Sequence, residues 1–280
     1  MRPLIVRFPL LLGTLCFAVA LVGCSRDPAK LKQKYVESGD KFVSGKNYAE
    51  AIIQFRNAVS IDPKLGEVRL KLGQAYAASG DPRSALREYI RAADLLPKNV
   101  DAQLAAGAGL LAIGQYPEAK ARALAALEIA PKNVQAMLLL GNSLAGMKDM
   151  DGAIAQVEEA IDADPQRVLT YANLGQLELS RGNAPAAEAA FKRAVEGDPT
   201  SSAAHMALAN FYWSASHLDD AERELKRSLE LDPKSPLVNR ALAAFYANTG
   251  RIAESEPYLK AWGDSPTMSA PSSYSPTCTS

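Results

Sequence analysis

The sequence predicts an all-α solenoid of stacked helix pairs, and three observations carry that reading. Prolines recur every 34 residues, at Pro63, Pro97, Pro131, Pro165, Pro199 and Pro233. Small residues recur in the same phase at three other places, and apolar residues fall between them at helical spacing. A fixed period over most of a chain marks units that bury their apolar faces only against neighbours. Such units make an extended surface for holding other molecules rather than a pocketed globule for chemistry.

From the N-terminus, residues 1–23 read as a secretory signal, because Arg2 and Arg7 lead into an uncharged apolar run from Phe8 to Val22. The run is short of the roughly 20 residues that a membrane span needs. Leu21-Val22-Gly23-Cys24 resembles the lipobox of bacterial lipoproteins, in which the signal is cut before the cysteine and the thiol of Cys24 is alkylated by a diacylglycerol. An ordinary cleaved signal, or a short anchor with a chance cysteine, is the plainer alternative. The resemblance implies stable attachment through two or three acyl chains, since a single chain holds a membrane only marginally. By similarity to proteobacterial sorting, Ser25 implies the outer membrane, facing the periplasm. Residues 24–31 are then a lipidated N-terminus and short linker.

Loss of residues 1–23 leaves 29 basic and 31 acidic residues, which gives no electrostatic case for nucleic acid. Cys16 leaves with the signal, Cys24 is committed to lipid and Cys278 lies in the tail. No pair remains for an intramolecular disulfide, so packing alone must supply the core.

With the proline placed at position 32, repeats start at residues 32, 66, 100, 134, 168, 202 and 236, the last incomplete. Position 8 is Gly39, Gly73, Gly107, Gly141, Gly175, Ala209 and Ala243. Position 20 is Ala51, Ala85, Ala119, Ala153, Ala187 and Ala221, then Ser255; position 27 is Ala58, Ala92, Ala126, Ala160 and Ala194, then Ser228. Small residues at three fixed places predict close helix approach, where only a hydrogen or methyl group fits. Each unit divides into two helices of about 12 to 14 residues, joined at a glycine in five of the seven: Gly45, Gly80, Gly114, Gly182 and Gly250. Pro82, Pro117 and Pro185 lie just beyond, where a first helical turn tolerates a missing N–H. The proline at position 32 stops the second helix.

This order resembles the tetratricopeptide repeat (TPR), and in the second repeat the match reads Leu72-Gly73, Tyr76, Ala85, Tyr89, Ala92 and Pro97. The resemblance covers residues 32–262 and implies a TPR superhelix of about six and a half to seven repeats. Two departures, Glu178 at position 11 and Ala123 at position 24, predict looser packing.

In that family the first helix of each pair lines a concave groove through positions 2, 5, 9 and 12. The resemblance therefore implies groove positions at Val36, Leu70, Leu104, Leu138 and Met206 in one row, and at Asp40, Gln74, Asn142, Gln176 and Asn210 in another. Amides donate and accept hydrogen bonds to an extended backbone while an apolar row takes side chains, so the expected ligand is a peptide or protein. The plainer reading has the apolar row packed on the next repeat and the amides merely solvated. Trp213, at position 12, is either a groove aromatic or packing for the seventh repeat. The row of basic residues with which carboxylate-clamp TPR domains grip acidic C-termini is missing.

Little points to chemistry. The only histidines are His205, at a position where the family often has a packed aromatic, and His217, in a turn. No Cys or His pair has metal-ligand spacing. Gly107-Ala108-Gly109 lacks the strand and third glycine of a dinucleotide loop, and Glu158-Glu159 and Asp219-Asp220 read as solvated helix faces. No cofactor, metal or catalytic residue is assigned, and the chain reads as a non-enzyme.

The seventh repeat decays, with Pro257 inside its second helix, and residues 263–280 are rich in Ser, Thr and Pro and read as disordered. No capping helix follows, so a docking face, a frayed end and a truncated or frame-shifted longer repeat protein are the competing explanations. The lipobox beside Ala51-Ile52-Ile53-Gln54-Phe55-Arg56-Asn57-Ala58 looks most like the TPR lipoproteins of exopolysaccharide and PEP-CTERM export systems. That resemblance implies a membrane-anchored scaffold for assembly or export in the bacterial envelope. Type IV pilus biogenesis lipoproteins, outer-membrane assembly factors and accessory regulators of an envelope polysaccharide or peptidoglycan synthase are the alternatives.

Overall fold

The structure, a computed structural model, describes residues 27–263, which form fourteen α-helices joined by short turns, with no strand among the described residues. The signal, Cys24, Ser25 and the Ser/Thr/Pro-rich tail beyond Gly263 lie outside them, whereas Gly263, expected to begin that tail, ends the last helix. The chain divides between Pro97 and Lys98 into two compact units. The first holds α1 (Pro28–Ser44), α2 (Tyr48–Ile61), α3 (Gly66–Ala78) and α4 (Pro82–Leu95). The second holds α5 (Val100–Ala112), α6 (Tyr116–Ile129), α7 (Val134–Gly146), α8 (Met150–Ala163) and α9 (Val168–Arg181). It continues through α10 (Ala184–Gly197), α11 (Ser202–Ser214), α12 (Leu218–Leu231), α13 (Pro236–Asn248) and α14 (Ile252–Gly263). Within each unit every helix packs on the next in sequence.

Six first helices, from α3 at Gly66 to α13 at Pro236, begin on the residue where the period places a repeat start. The exception is α1, which starts ahead of Lys32 because Asp27 accepts a hydrogen bond from Ala29 N–H at 3.0 Å and Pro28 occupies the first turn. Residues 28–31, expected as linker, are therefore helical. Each second helix from α2 to α12 stops two residues before its proline, as α2 does at Ile61 before Pro63. The residue between is extended, with φ of −138° at Asp62 and −147° at Asp164, because the proline ring excludes the helical conformation from the residue before it.

The turn inside each pair differs from the expected pattern in one respect. Gly80, Gly114, Gly182 and Gly250 have φ between 77° and 86°, the left-handed region that glycine enters without steric cost. Lys46, Lys148 and Ser216, in the same phase, adopt φ of 57°, 68° and 62°. Gly45, expected as the turn glycine of the first repeat, has φ of −84° and caps α1 while Lys46 takes the left-handed step. The 34-residue phase, rather than the glycine, dictates the turn.

Close approach occurs where the small residues predict it. Ala51, Ala58, Ala119, Ala126, Ala153, Ala160, Ala187 and Ala194 are fully buried. A methyl group added at Gly73 would stand 2.5 Å from the Tyr89 ring, and one at Gly175 would stand 2.9 Å from Phe191. Where position 24 holds Leu225 instead of an aromatic, position 8 holds Ala209, and both are fully buried. The two departures do not loosen the packing. Leu139 of α7 crosses onto Gly107 and occupies the room that Ala123 leaves. Glu178, with an 8% exposed side chain, is held by Arg181 at 2.8 Å, and Arg181 also reaches Asp151 at 3.2 Å.

Candidate functional site

Positions 5 and 9 of the repeat lie one helical turn apart on the same face of each first helix. The structure separates their roles. In the first unit Leu70 is 7% exposed and belongs to the core, and Val36 packs against the cluster built on Phe55 and Leu72. In the second unit Leu104 and Leu138 pack on the cluster around Leu140 and Val157. The apolar row expected to receive ligand side chains is thus largely consumed by stacking, since each helix pair must cover the apolar face of its neighbour.

The polar row divides as well. Asp40 accepts two hydrogen bonds from Lys71 Nζ, both at 2.8 Å, and Asn142 accepts one from Asn173 Nδ2 at 3.2 Å. Both links join position 9 of one repeat to position 6 of the next. Where position 6 is Ala207 or Ala241 no such link can form, and Gln176 and Asn210 project exposed amides. Gln74 is exposed too, at the rim of a cavity of about 290 Å³ lined by Asp40, Val43, Phe55 and Lys71.

Gln176 of α9 and Asn210 of α11 flank a cavity of about 270 Å³ whose apolar lining includes Ala172, Leu179, Phe191, Met206 and Phe211. Met206, like Ala172 at the same position of the preceding repeat, lines this cavity while resting on the core beneath it. Two amides over an apolar recess can bond an extended backbone and seat one of its side chains. Trp213 takes no part, because its ring packs edge-on against Phe245 with centroids 5.4 Å apart and an interplanar angle of 74°.

A polar network that the sequence reading did not anticipate holds His205. Its Nδ1 lies 2.7 Å from Glu224 and its Nε2 lies 3.1 Å from the carbonyl oxygen of Pro199. The ring is buried and tied between helices, which is a structural role. His217 occupies the N-cap position of α12 without a side-chain capping bond, its ring centroid 6.0 Å from that of Tyr212. At the far end of the second unit, Glu222 meets Arg251, Lys226 at 2.7 Å and Tyr246 Oη at 2.8 Å. The Arg251 guanidinium holds the Glu222 carboxyl down at about 2, while burial and this carboxylate push the Tyr246 phenol up to about 12. Among the described residues no cluster of three or more His, Cys, Asp or Glu could hold a metal ion, and no helix is long and apolar enough to cross a membrane.

Tetratricopeptide-repeat family models match residues 39–80, 70–108, 104–168 and 178–244. No curated protein matches the chain. Among solved structures, a tetratricopeptide repeat protein from Parabacteroides merdae superposes with a TM-score of 0.70 at 15% identity, over 82% of this chain and 91% of that one. MamA from Desulfovibrio magneticus is similar at 24% identity over 62% of this chain and 96% of its own, with a TM-score of 0.55. PilF of Pseudomonas aeruginosa is similar at 18% identity over 80% and 98%, with a TM-score of 0.56. At these identities the likeness speaks for the fold. Family models and structural likeness agree with the helix-by-helix phase, and the chain is an all-α solenoid of tetratricopeptide repeats.

Proposed function

We propose that this protein is a lipid-anchored, non-enzymatic adaptor of the bacterial envelope that holds an extended segment of a protein partner on the first-helix face of its second unit. The observation that carries the binding reading is the pair Gln176 and Asn210, exposed amides on successive first helices beside the recess lined by Met206 and Phe211. At the corresponding places Asp40 and Asn142 are spent on links between repeats. The anchor rests on Leu21-Val22-Gly23-Cys24, and an envelope assembly or export role rests on the resemblance to TPR lipoproteins.

Crosslinking and affinity capture from membranes, with the lipidated chain as bait, tests the reading. The double variant Gln176→Ala/Asn210→Ala should lose the captured partner while keeping its helical circular dichroism. Cys24→Ser should release the chain from the membrane fraction and block metabolic labelling by palmitate. Unchanged capture by the double variant refutes the binding face, and membrane retention without Cys24 refutes the anchor.

A further inference from the structure

A second surface lies on the second-helix side of the first unit, where α2 and α4 flank α3. An open cavity of about 760 Å³ is lined by Arg56 of α2, Arg69 of α3 and Arg87 and Arg91 of α4, with Glu88 the one acidic residue among its lining. Arg69 and Glu88 neutralise one another at 2.6 Å, both about 9% exposed, and Arg91 touches Glu88 at 3.3 Å. Arg87 donates a hydrogen bond to the Ser84 hydroxyl at 2.9 Å, and its charge adds to the hydrogen bonds from Ser84 that hold the nearby Asp81 carboxyl below its usual range. Arg56 has no ion-pair partner among the described residues. Cations in the same repeat positions of α10 and α12 have partners on their own or a neighbouring helix: Lys192 pairs with Glu188, Arg223 with Asp220, Lys226 with Glu222 and Arg227 with Glu230, while Arg193 lies over the Tyr171 ring at 5.5 Å. In α6 and α8 the corresponding residues are Ala121, Leu124 and Ala125, and Ala155, Glu158 and Glu159. The basic cavity is therefore a property of one place rather than of the repeat.

We infer that this cavity receives an acidic peptide segment of a protein partner, its carboxylates on Arg56, Arg87 and Arg91 and an apolar side chain against Ile53 and Val59. Guanidinium groups match carboxylates in planar, bidentate geometry. The apolar part of the lining favours a peptide over a sugar acid, because Ile53 is 55% exposed and opens on the same cavity as Val59 and Leu72. A cavity of this size also exceeds what a single inorganic anion fills. The surface is separate from the amide face of the second unit, and the two readings stand or fall independently.

The test is fluorescence anisotropy of the full chain with a dye-labelled Asp/Glu-rich peptide carrying one leucine, run alongside an oligouronate and inorganic phosphate as competitors. The peptide should bind with an affinity that falls as salt rises. Arg56→Gln/Arg87→Gln/Arg91→Gln should weaken binding by about tenfold or more, whereas Lys192→Gln/Arg193→Gln/Arg227→Gln should leave it unchanged. All six sites are exposed, and circular dichroism confirms that both variants fold. Equal loss in the two variants, no binding by the parent chain, or displacement by the oligouronate or phosphate at concentrations equal to that of the peptide overturns the inference.

Discussion

Nε of Arg69 donates a hydrogen bond to the carbonyl oxygen of Pro63, 2.8 Å away, and so ties the proline that ends one repeat to the first helix of the next. The same tie recurs between His205 and Pro199 at 3.1 Å and between Asn239 and Pro233 at 3.5 Å. Each proline acts twice, ending a helix through its ring and accepting a bond through its carbonyl. Because Arg69 also pairs with buried Glu88, Arg69→Met should cost about 2 kcal/mol by leaving that carboxylate with Arg91 alone, 3.3 Å away. Adding Glu88→Leu should recover much of that loss in urea denaturation.

Glu222 governs acid stability at the end of the second unit. Its pKa falls from 4.5 to about 2 on folding, so its stabilisation is complete above 4.5 and disappears as pH falls through about 2. Glu222→Gln should cost about 1 to 2 kcal/mol at neutral pH and flatten the stability profile across that acid window. Hydrogen exchange in α13 and α14, followed against pH, measures both effects.

Gly73 and Tyr89 form a size-matched pair. Gly73→Ala should destabilise by about 1 to 3 kcal/mol through overpacking, since the new methyl would meet the ring at 2.5 Å. Combining it with Tyr89→Leu should restore part of the loss, reproducing the natural Ala209–Leu225 pairing, and a double-mutant cycle reads the coupling.

Lys148 holds a left-handed conformation that costs a residue with a Cβ about 1 kcal/mol or more. Lys148→Gly should therefore raise thermal stability by about 0.5 kcal/mol after the entropy that glycine gains on unfolding. Gly182→Ala, at φ of 86°, should lower it by about 1 kcal/mol.

Thr170 is fully buried, and its hydroxyl has no hydrogen-bond partner among the described residues. The same repeat position holds Val68 and Val238, both buried. Thr170→Val should stabilise the second unit by about 1 kcal/mol in thermal denaturation, by removing an unpaired polar group from the core.

Helix count, repeat phase and the buried small residues were legible in the sequence, because they follow from local rules that repeat every 34 residues. A proline excludes helix before it, and a glycine marks where two backbones approach, whatever the partner. The left-handed turns at Lys46, Lys148 and Ser216 were within reach of the same phase, although residue type concealed them. Only the tertiary structure decided which groove residues remain available. The fate of Asn142 depends on Asn173 in the next repeat, and that of Trp213 on Phe245. Filling of the space beside Ala123 by Leu139, and the convergence of Arg56, Arg69, Arg87 and Arg91 on one cavity, likewise depend on contacts between helices. Periodicity states which face a residue occupies, whereas side-chain pairing between neighbouring repeats determines whether that face is spent on packing or free to bind.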